Sequence, residues 1–155
     1  MLDEPTVGVD VVSRSEFWAI LAGLAKEGMA LLVSTPYMDE AARFDRVVLL
    51  HKGRAIGAGT PAEVTRLARR RLLRVSGPDA TKAWLLLREA RVAGANALRF
   101  GDRLHVAYES DEAERALRAS LAGLDVAVER ALPDIEDTFV ELMGSGKETA
   151  HDLGA

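Results

Sequence analysis

The order of apolar and polar blocks between residues 72 and 131 constrains the fold more than any other feature of this chain. "LLRVS" (72–76) reads as a strand, and "PDATKAWLLLREA" (78–90) reads as a helix with Asp79 as a possible cap. "NALRF" and "RLHVAY" flank Gly101–Asp102, the signature of a hairpin turn. "SDEAERALRASLAGL" (110–124) reads as a helix capped by Ser110 or Asp111, with Glu114 completing a capping box. "DVAVERA" alternates as a half-buried strand does. The resulting order, β-α-β-β-α-β, is that of a split β-α-β unit. Pro133 then introduces a last helix, "DIEDTFVELM" (134–143), with Ile135, Phe139 and Leu142 on one face. The tail "GSGKETAHDLGA" (144–155) is small and polar, a linker or a frayed end.

The first half has a different plan. Residues 11–27 place Phe17, Leu21 and Leu24 at helical spacing, with Trp18 and Ala25 beside them, and Gly28 ends the run. "MALLVST" (29–35) is short and almost wholly apolar, as a buried parallel strand is. "MDEAARF" (38–44) suits a short helix, and "RVVLLHKGRAIGAG" (46–59) reads as two strands joined at Lys52–Gly53. "TPAEVTRLARR" opens a helix with Thr60 as cap, Pro61 at its first position and Glu63 closing a capping box. The expected organisation is therefore an α/β piece over residues 1–71, a compact α+β module of ferredoxin-like pattern over 72–143, and a tail over 144–155.

Composition narrows the function classes. With 155 residues, 48% hydrophobic and 28% charged, the chain has the make-up of a globular protein. Its net charge of -4, with both signs interspersed, argues against a nucleic-acid surface. The one basic cluster, "RLARRR" (66–71), reads as a solvated helix end. The absence of cysteine excludes disulfides and thiolate metal sites and fits a reducing compartment. No apolar run approaches the ~18 residues of a membrane span, and the acidic start is unlike a secretory signal. The expectation is a cytoplasmic chain that meets a membrane only through a partner. His51 and His105 read as packing or surface residues, His151 lies in the tail, and Trp18 and Trp84 sit on apolar helix faces.

The opening "LDEPTVGVD" (2–10) resembles the Walker B motif and D-loop of ATP-binding cassette (ABC) ATPases, whose usual form is L-D-E-P-T-x-G-L-D. "LLVSTPYMDEAARFDRVVLLHKGRAIGAGTPAEV" resembles the family's H-loop strand, the helix after it and the closing hairpin with its G-T-P tail. "LPDIEDTFVELMG" resembles the C-terminal signature of the drug- and antibiotic-export branch. The resemblance covers nearly the whole chain, with these blocks in the family's order. It implies an α/β fold: a partial P-loop-type ATPase sheet followed by the small α+β module.

The resemblance implies roles as well. Asp3 falls on the residue that holds magnesium through water, and Glu4 on the catalytic glutamate in the position of general base. Asp10 falls in the D-loop, which meets nucleotide. Pro36 stands where the family has its switch histidine. ATP and magnesium are the family's cofactors, with none expected for this chain alone. A permease and a second nucleotide-binding domain are the implied partners. The chemistry fits: magnesium dehydrates reluctantly and is held by one or two carboxylates, and a neighbouring carboxylate can orient the attacking water in phosphoryl transfer. Proline at position 36 has no side-chain donor.

The phosphate-cradling P-loop G-x-x-x-x-G-K-[ST], the Q-loop and the L-S-G-G-Q signature are not in these residues. "GSGKE" (144–148) lacks the first glycine at the required spacing, carries Glu148 in place of the magnesium-holding hydroxyl, and comes after a helix rather than a strand. The chain is expected to correspond to the C-terminal part of an ABC nucleotide-binding domain and not to bind or hydrolyse ATP alone. The alternative is a regulatory or dimerising module built on residues 72–131, with no nucleotide chemistry.

Overall fold

The computed structural model describes residues 1–90 and 94–145. They form two compact units, Met1–Phe44 and a second beginning at Asp45. Most of "GSGKE" and His151 lie outside the described residues.

In the first unit, strand β1 (Leu2–Asp3) pairs in parallel with β2 (Val33–Ser34). Helix α1 (Val11–Lys26) connects them, and α2 (Met38–Ala41) comes after β2. Asp10 caps α1, accepting the N–H groups of Val12 and Ser13 at 3.0 and 3.1 Å. The Ser13 side chain first, and then the Ser13 and Val12 N–H groups, hold its carboxyl below the usual range against burial. The core here is small: Trp18, flanked edge-on by Phe17 and Phe44, and Leu21.

Two expected elements are shorter than the sequence pattern suggests. The strand expected over 29–35 is reduced to two residues, and Leu32 is 65% exposed. A strand buried on both faces needs sheet neighbours and covering layers, and among the described residues β2 is paired only with the two residues of β1. The helix expected over 38–44 stops at Ala41, where the chain tightens through bonds from Arg43 N–H to Glu40 O and from Phe44 N–H to Ala41 O.

The second unit opens with the antiparallel hairpin β3 (Val47–His51) and β4 (Arg54–Gly59). Lys52 and Gly53 turn it, both with positive φ (49° and 75°), as a two-residue type I′ turn requires. Helix α3 (Pro61–Thr65) has the full reciprocal capping box of Thr60 and Glu63. It ends sooner than its composition suggests because Glu141 captures the backbone N–H groups of Arg69 and Arg70, at 2.9 and 3.3 Å. Gly57 of β4 lies against Leu67 and Leu142, where a Cβ would stand 3.0 Å and 3.5 Å from their side chains. That packing joins the hairpin to the rest of the second unit.

A four-stranded antiparallel sheet comes next, in the order β6-β7-β5-β8. Its strands are β5 (Arg71–Ser76), β6 (Ala95–Phe100), β7 (Arg103–Tyr108) and β8 (Ala127–Ala131), with helices α4 (Ala80–Ala90) and α5 (Asp111–Leu121) between them. Strand alternation divides the faces. Leu73 and Val75, with Leu104, Val106 and Tyr108, pack on Ala83 and Leu87 of α4 and on Ala113, Leu117 and Leu121 of α5. Leu72 and His105 point the other way, into a small cavity they line with Leu98, Pro133, Asp137 and Val140, the last two on α6 (Ile135–Ser145).

The capping box expected at Glu114 does not form. Ser110 is the cap and bonds Ala113 N–H, which leaves Glu114 one position too late. Glu114 turns inward and binds Tyr108 Oη at 2.8 Å, Arg118 at 3.0 Å and Arg130 at 2.9 Å. Asp79 heads α4, but its carboxylate reaches across to the Asp125 N–H and pairs with Lys82. No helix among the described residues is long and apolar enough to cross a membrane.

Candidate functional site

Asp3 and Glu4 stand where the parallel strand β1 gives way to a turn. The strand is anchored by Leu2 N–H to Leu32 O (2.8 Å) and by Glu4 N–H to Ser34 O (3.1 Å). Ser34 also binds both acidic residues with its side chain: its hydroxyl donates to Asp3 Oδ1 and accepts from the Glu4 N–H at 3.0 Å. Glu4 has φ of 44°, in the left-handed region that non-glycine residues rarely adopt. The chain thus leaves the strand sharply, and both carboxylates are exposed. Two overlapping turns succeed it, from Val7 N–H to Glu4 O and from Val9 N–H to Thr6 O, with Gly8 at φ 78°. They deliver Asp10 to the head of α1, where its carboxylate is engaged as the helix cap.

Pro36 lies exposed in the loop between β2 and α2. On either side the loop is tied down: the Thr35 hydroxyl accepts the Tyr37 N–H at 3.1 Å, and the Tyr37 ring faces the Arg14 guanidinium at 4.3 Å. The structure therefore brings Asp3, Glu4 and the loop bearing Pro36 to the same ends of β1 and β2.

One residue of this unit escapes a reading of the sequence alone. Glu40, 1% exposed, accepts from Thr6 Oγ1 (3.0 Å), Trp18 Nε1 (3.1 Å) and Thr35 Oγ1 (2.5 Å), with Arg14 Nε at 3.5 Å. Its place in "YMDEAARF" looks like an ordinary helix residue; the signal lies in two threonines and a tryptophan scattered far along the chain.

In the second unit His105, Asp134 and Asp137 bring ligand-type atoms within 4.8 Å of one another. Their bonds account for the grouping. Asp134 and Asp137 cap the start of α6 reciprocally, each accepting the other's N–H (2.8 and 3.1 Å), and His105 Nδ1 lies 2.9 Å from Asp137 Oδ1. Burial pushes the Asp137 carboxyl up.

Comparison with known proteins places the chain. No protein-family model matches it. The probable multidrug ABC transporter ATP-binding protein YbhF of Escherichia coli is 30% identical over 156 residues, covering the whole chain and 27% of that protein. The daunorubicin/doxorubicin resistance ATP-binding protein DrrA of Streptomyces peucetius is 36% identical over 121 residues, 77% of the chain and 28% of DrrA. The Nod factor export ATP-binding protein I of Rhizobium leguminosarum bv. viciae is 32% identical over 151 residues, 96% of the chain and 47% of that protein. The chain belongs to the ATP-binding proteins of ABC transporters. It spans about a quarter of the length of the first two of these relatives and under half of the third.

Proposed function

We propose that this segment supplies the acidic strand end, the D-loop and a degenerate switch position to the ATP-binding subunit of an ABC exporter. The observation that carries the reading is the Asp3–Ser34 bond, which fixes the first carboxylate of "LDEPT" at the end of a parallel strand while Glu4 turns out beside it. In the reading, Asp3 holds magnesium through its water shell and Glu4 takes a proton from the attacking water. Asp10 places the D-loop by capping α1, and Pro36 leaves the site without a side-chain donor at the switch position. Magnesium supplies charge neutralisation of the phosphates. The donor set fits a magnesium ion held through water, since both carboxylates are exposed and one Asp3 oxygen is oriented by Ser34.

The nucleotide needs a phosphate cradle, and these 155 residues contain no P-loop sequence. Without one, two carboxylates repel the polyphosphate they would hold. The chain by itself is therefore proposed not to bind or hydrolyse ATP. A complete subunit, a second nucleotide-binding domain and a membrane permease are the proposed partners, with the permease placing the subunit at the cytoplasmic face of the membrane.

Residues 72–143 are proposed as an accessory module of ferredoxin-like fold. The order β8-β5-β7-β6, all antiparallel, with α4 and α5 packed on one face, supports that assignment. The same self-contained core favours a second reading, in which the module regulates or dimerises the subunit. Titration of the chain with magnesium-ATP tests the first reading: no saturable binding is expected, and micromolar affinity contradicts it.

A further inference from the structure

Among the described residues Glu40 is the most deeply buried carboxylate. Burying a carboxylate is costly unless its lone pairs are all engaged. Here both oxygens are: Oε2 accepts from Thr6 and Thr35, while Oε1 accepts from Trp18 and faces Arg14. The donors come from three separate pieces of chain. Thr6 lies two residues beyond Glu4, inside the turn closed by Val9 N–H on Thr6 O. Arg14 and Trp18 sit one turn apart on α1. Thr35 immediately precedes Pro36, and its hydroxyl, while donating to Glu40, accepts the Tyr37 N–H.

Glu40 thus touches neither the acidic pair nor position 36, yet it grips a residue close to each. We propose that Glu40 is a positioning residue that locks the turn following Asp3 and Glu4 to the loop carrying Pro36, so that the two move as one body. Its catalytic meaning rests on the ATPase reading above; the lock itself does not. A hydroxyl at 6 and a hydroxyl at 35 share one carboxylate oxygen, so loss of either changes how firmly the other is held.

The test is a double-mutant cycle on the chain, read by NMR hydrogen exchange. Thr35→Val should speed exchange of the Val9 amide about threefold or more, although Thr35 is remote from it in sequence. Thr35→Ser, which keeps the hydroxyl, should restore the original rate. Adding Thr6→Val to Thr35→Val should give less than the product of the two single effects. In Glu40→Gln, whose amide NH2 replaces the oxygen that accepts from Trp18, the Trp18 indole N–H resonance should move. Amides of Leu73 and Val106 in the second unit should be unchanged throughout. A Val9 rate indifferent to Thr35→Val, no rescue by serine, or strictly multiplicative effects of the two threonine variants would overturn the lock. If Glu40→Gln unfolds the first unit, the threonine cycle still decides. Failure of the ATPase reading leaves these exchange results intact, so the two claims fail separately.

Discussion

Ser34 binds Asp3 and Glu4 with a single hydroxyl, donating to the Asp3 carboxylate and accepting the Glu4 N–H at 3.0 Å. Strand β1 has only two residues, so its position depends on such bonds more than on ladder pairing. Ser34→Ala should cost about 1 kcal/mol in the first unit, the usual worth of a side-chain hydrogen bond. Faster amide exchange at Leu2 and Glu4, with no change in the second unit, is the expected result; Ser34→Thr should preserve protection.

Gly77 makes a sharper test of the second unit. It joins β5 to α4 at φ 137°, and a Cβ there would lie 2.7 Å from the Asp125 carbonyl oxygen, a backbone atom that cannot swing aside. Gly77→Ala should destabilise the unit by about 2 kcal/mol or more. Because Asp79 and Asp125 are bonded through their backbone and side chain at the same joint, the loss should emerge as a lower thermal midpoint with weakened protection at both α4 and β8.

Acid should weaken the second unit through Glu114. Its carboxyl is lowered from 4.5 to about 2, with the Arg130 bond the largest cause and those from Tyr108 and Arg118 assisting against burial. A carboxyl depressed in the folded state adds stability above its unfolded value. That stability is lost as pH falls from about 4.5 towards about 2. Arg130 and Arg118 are substantially exposed, so solvent screening limits the contribution to the order of 2 kcal/mol. Urea melts at pH 7 and pH 3 should differ for the native chain and much less for Glu114→Gln.

The two units should also differ in resistance to protease. The first exposes Val11, Val12, Ile20, Met29 and Leu32, and buries little beyond Trp18, Leu21, Thr6 and Glu40. The second has a continuous core with Leu73, Val75 and Leu104 fully buried. Limited proteolysis should remove residues before Asp45 first and leave a fragment that includes the β3–β4 hairpin. Stronger exchange protection at Val33 and Ser34 than at Leu73 and Val106 would refute this.

How much of the structure is legible in the sequence depends on how local each cause is. The Lys52–Gly53 and Gly101–Asp102 turns, the Thr60–Glu63 cap and the β-α-β-β-α-β order all depend on residues adjacent in the chain, and all are present. The lengths of β2 and α3 are not legible, since the short pairing partner β1 and the distant Glu141 set them. Glu114 reads as a cap residue because its spacing from Asp111 allows it; Tyr108 and Arg130, six and 16 positions away, decide otherwise. In the site, "LDEPT" stands out as a motif, whereas Glu40 owes its place to donors at 6, 18 and 35 that no spacing rule connects.

Asp3 and Glu4 are proposed to work in phosphoryl transfer at a site weakened by Pro36. Single-turnover ATP hydrolysis by the complete ATP-binding protein, with the neighbouring site disabled, tests it most directly. Pro36→His would place a side-chain donor at the proposed switch position, a change often worth about a hundredfold in rate. The expected result is slow hydrolysis in the native protein, a rise of about that size in Pro36→His, and return to the slow rate when Glu4→Gln is added. A Pro36→His protein that hydrolyses no faster, or one that keeps its gain without the Glu4 carboxylate, would contradict the account.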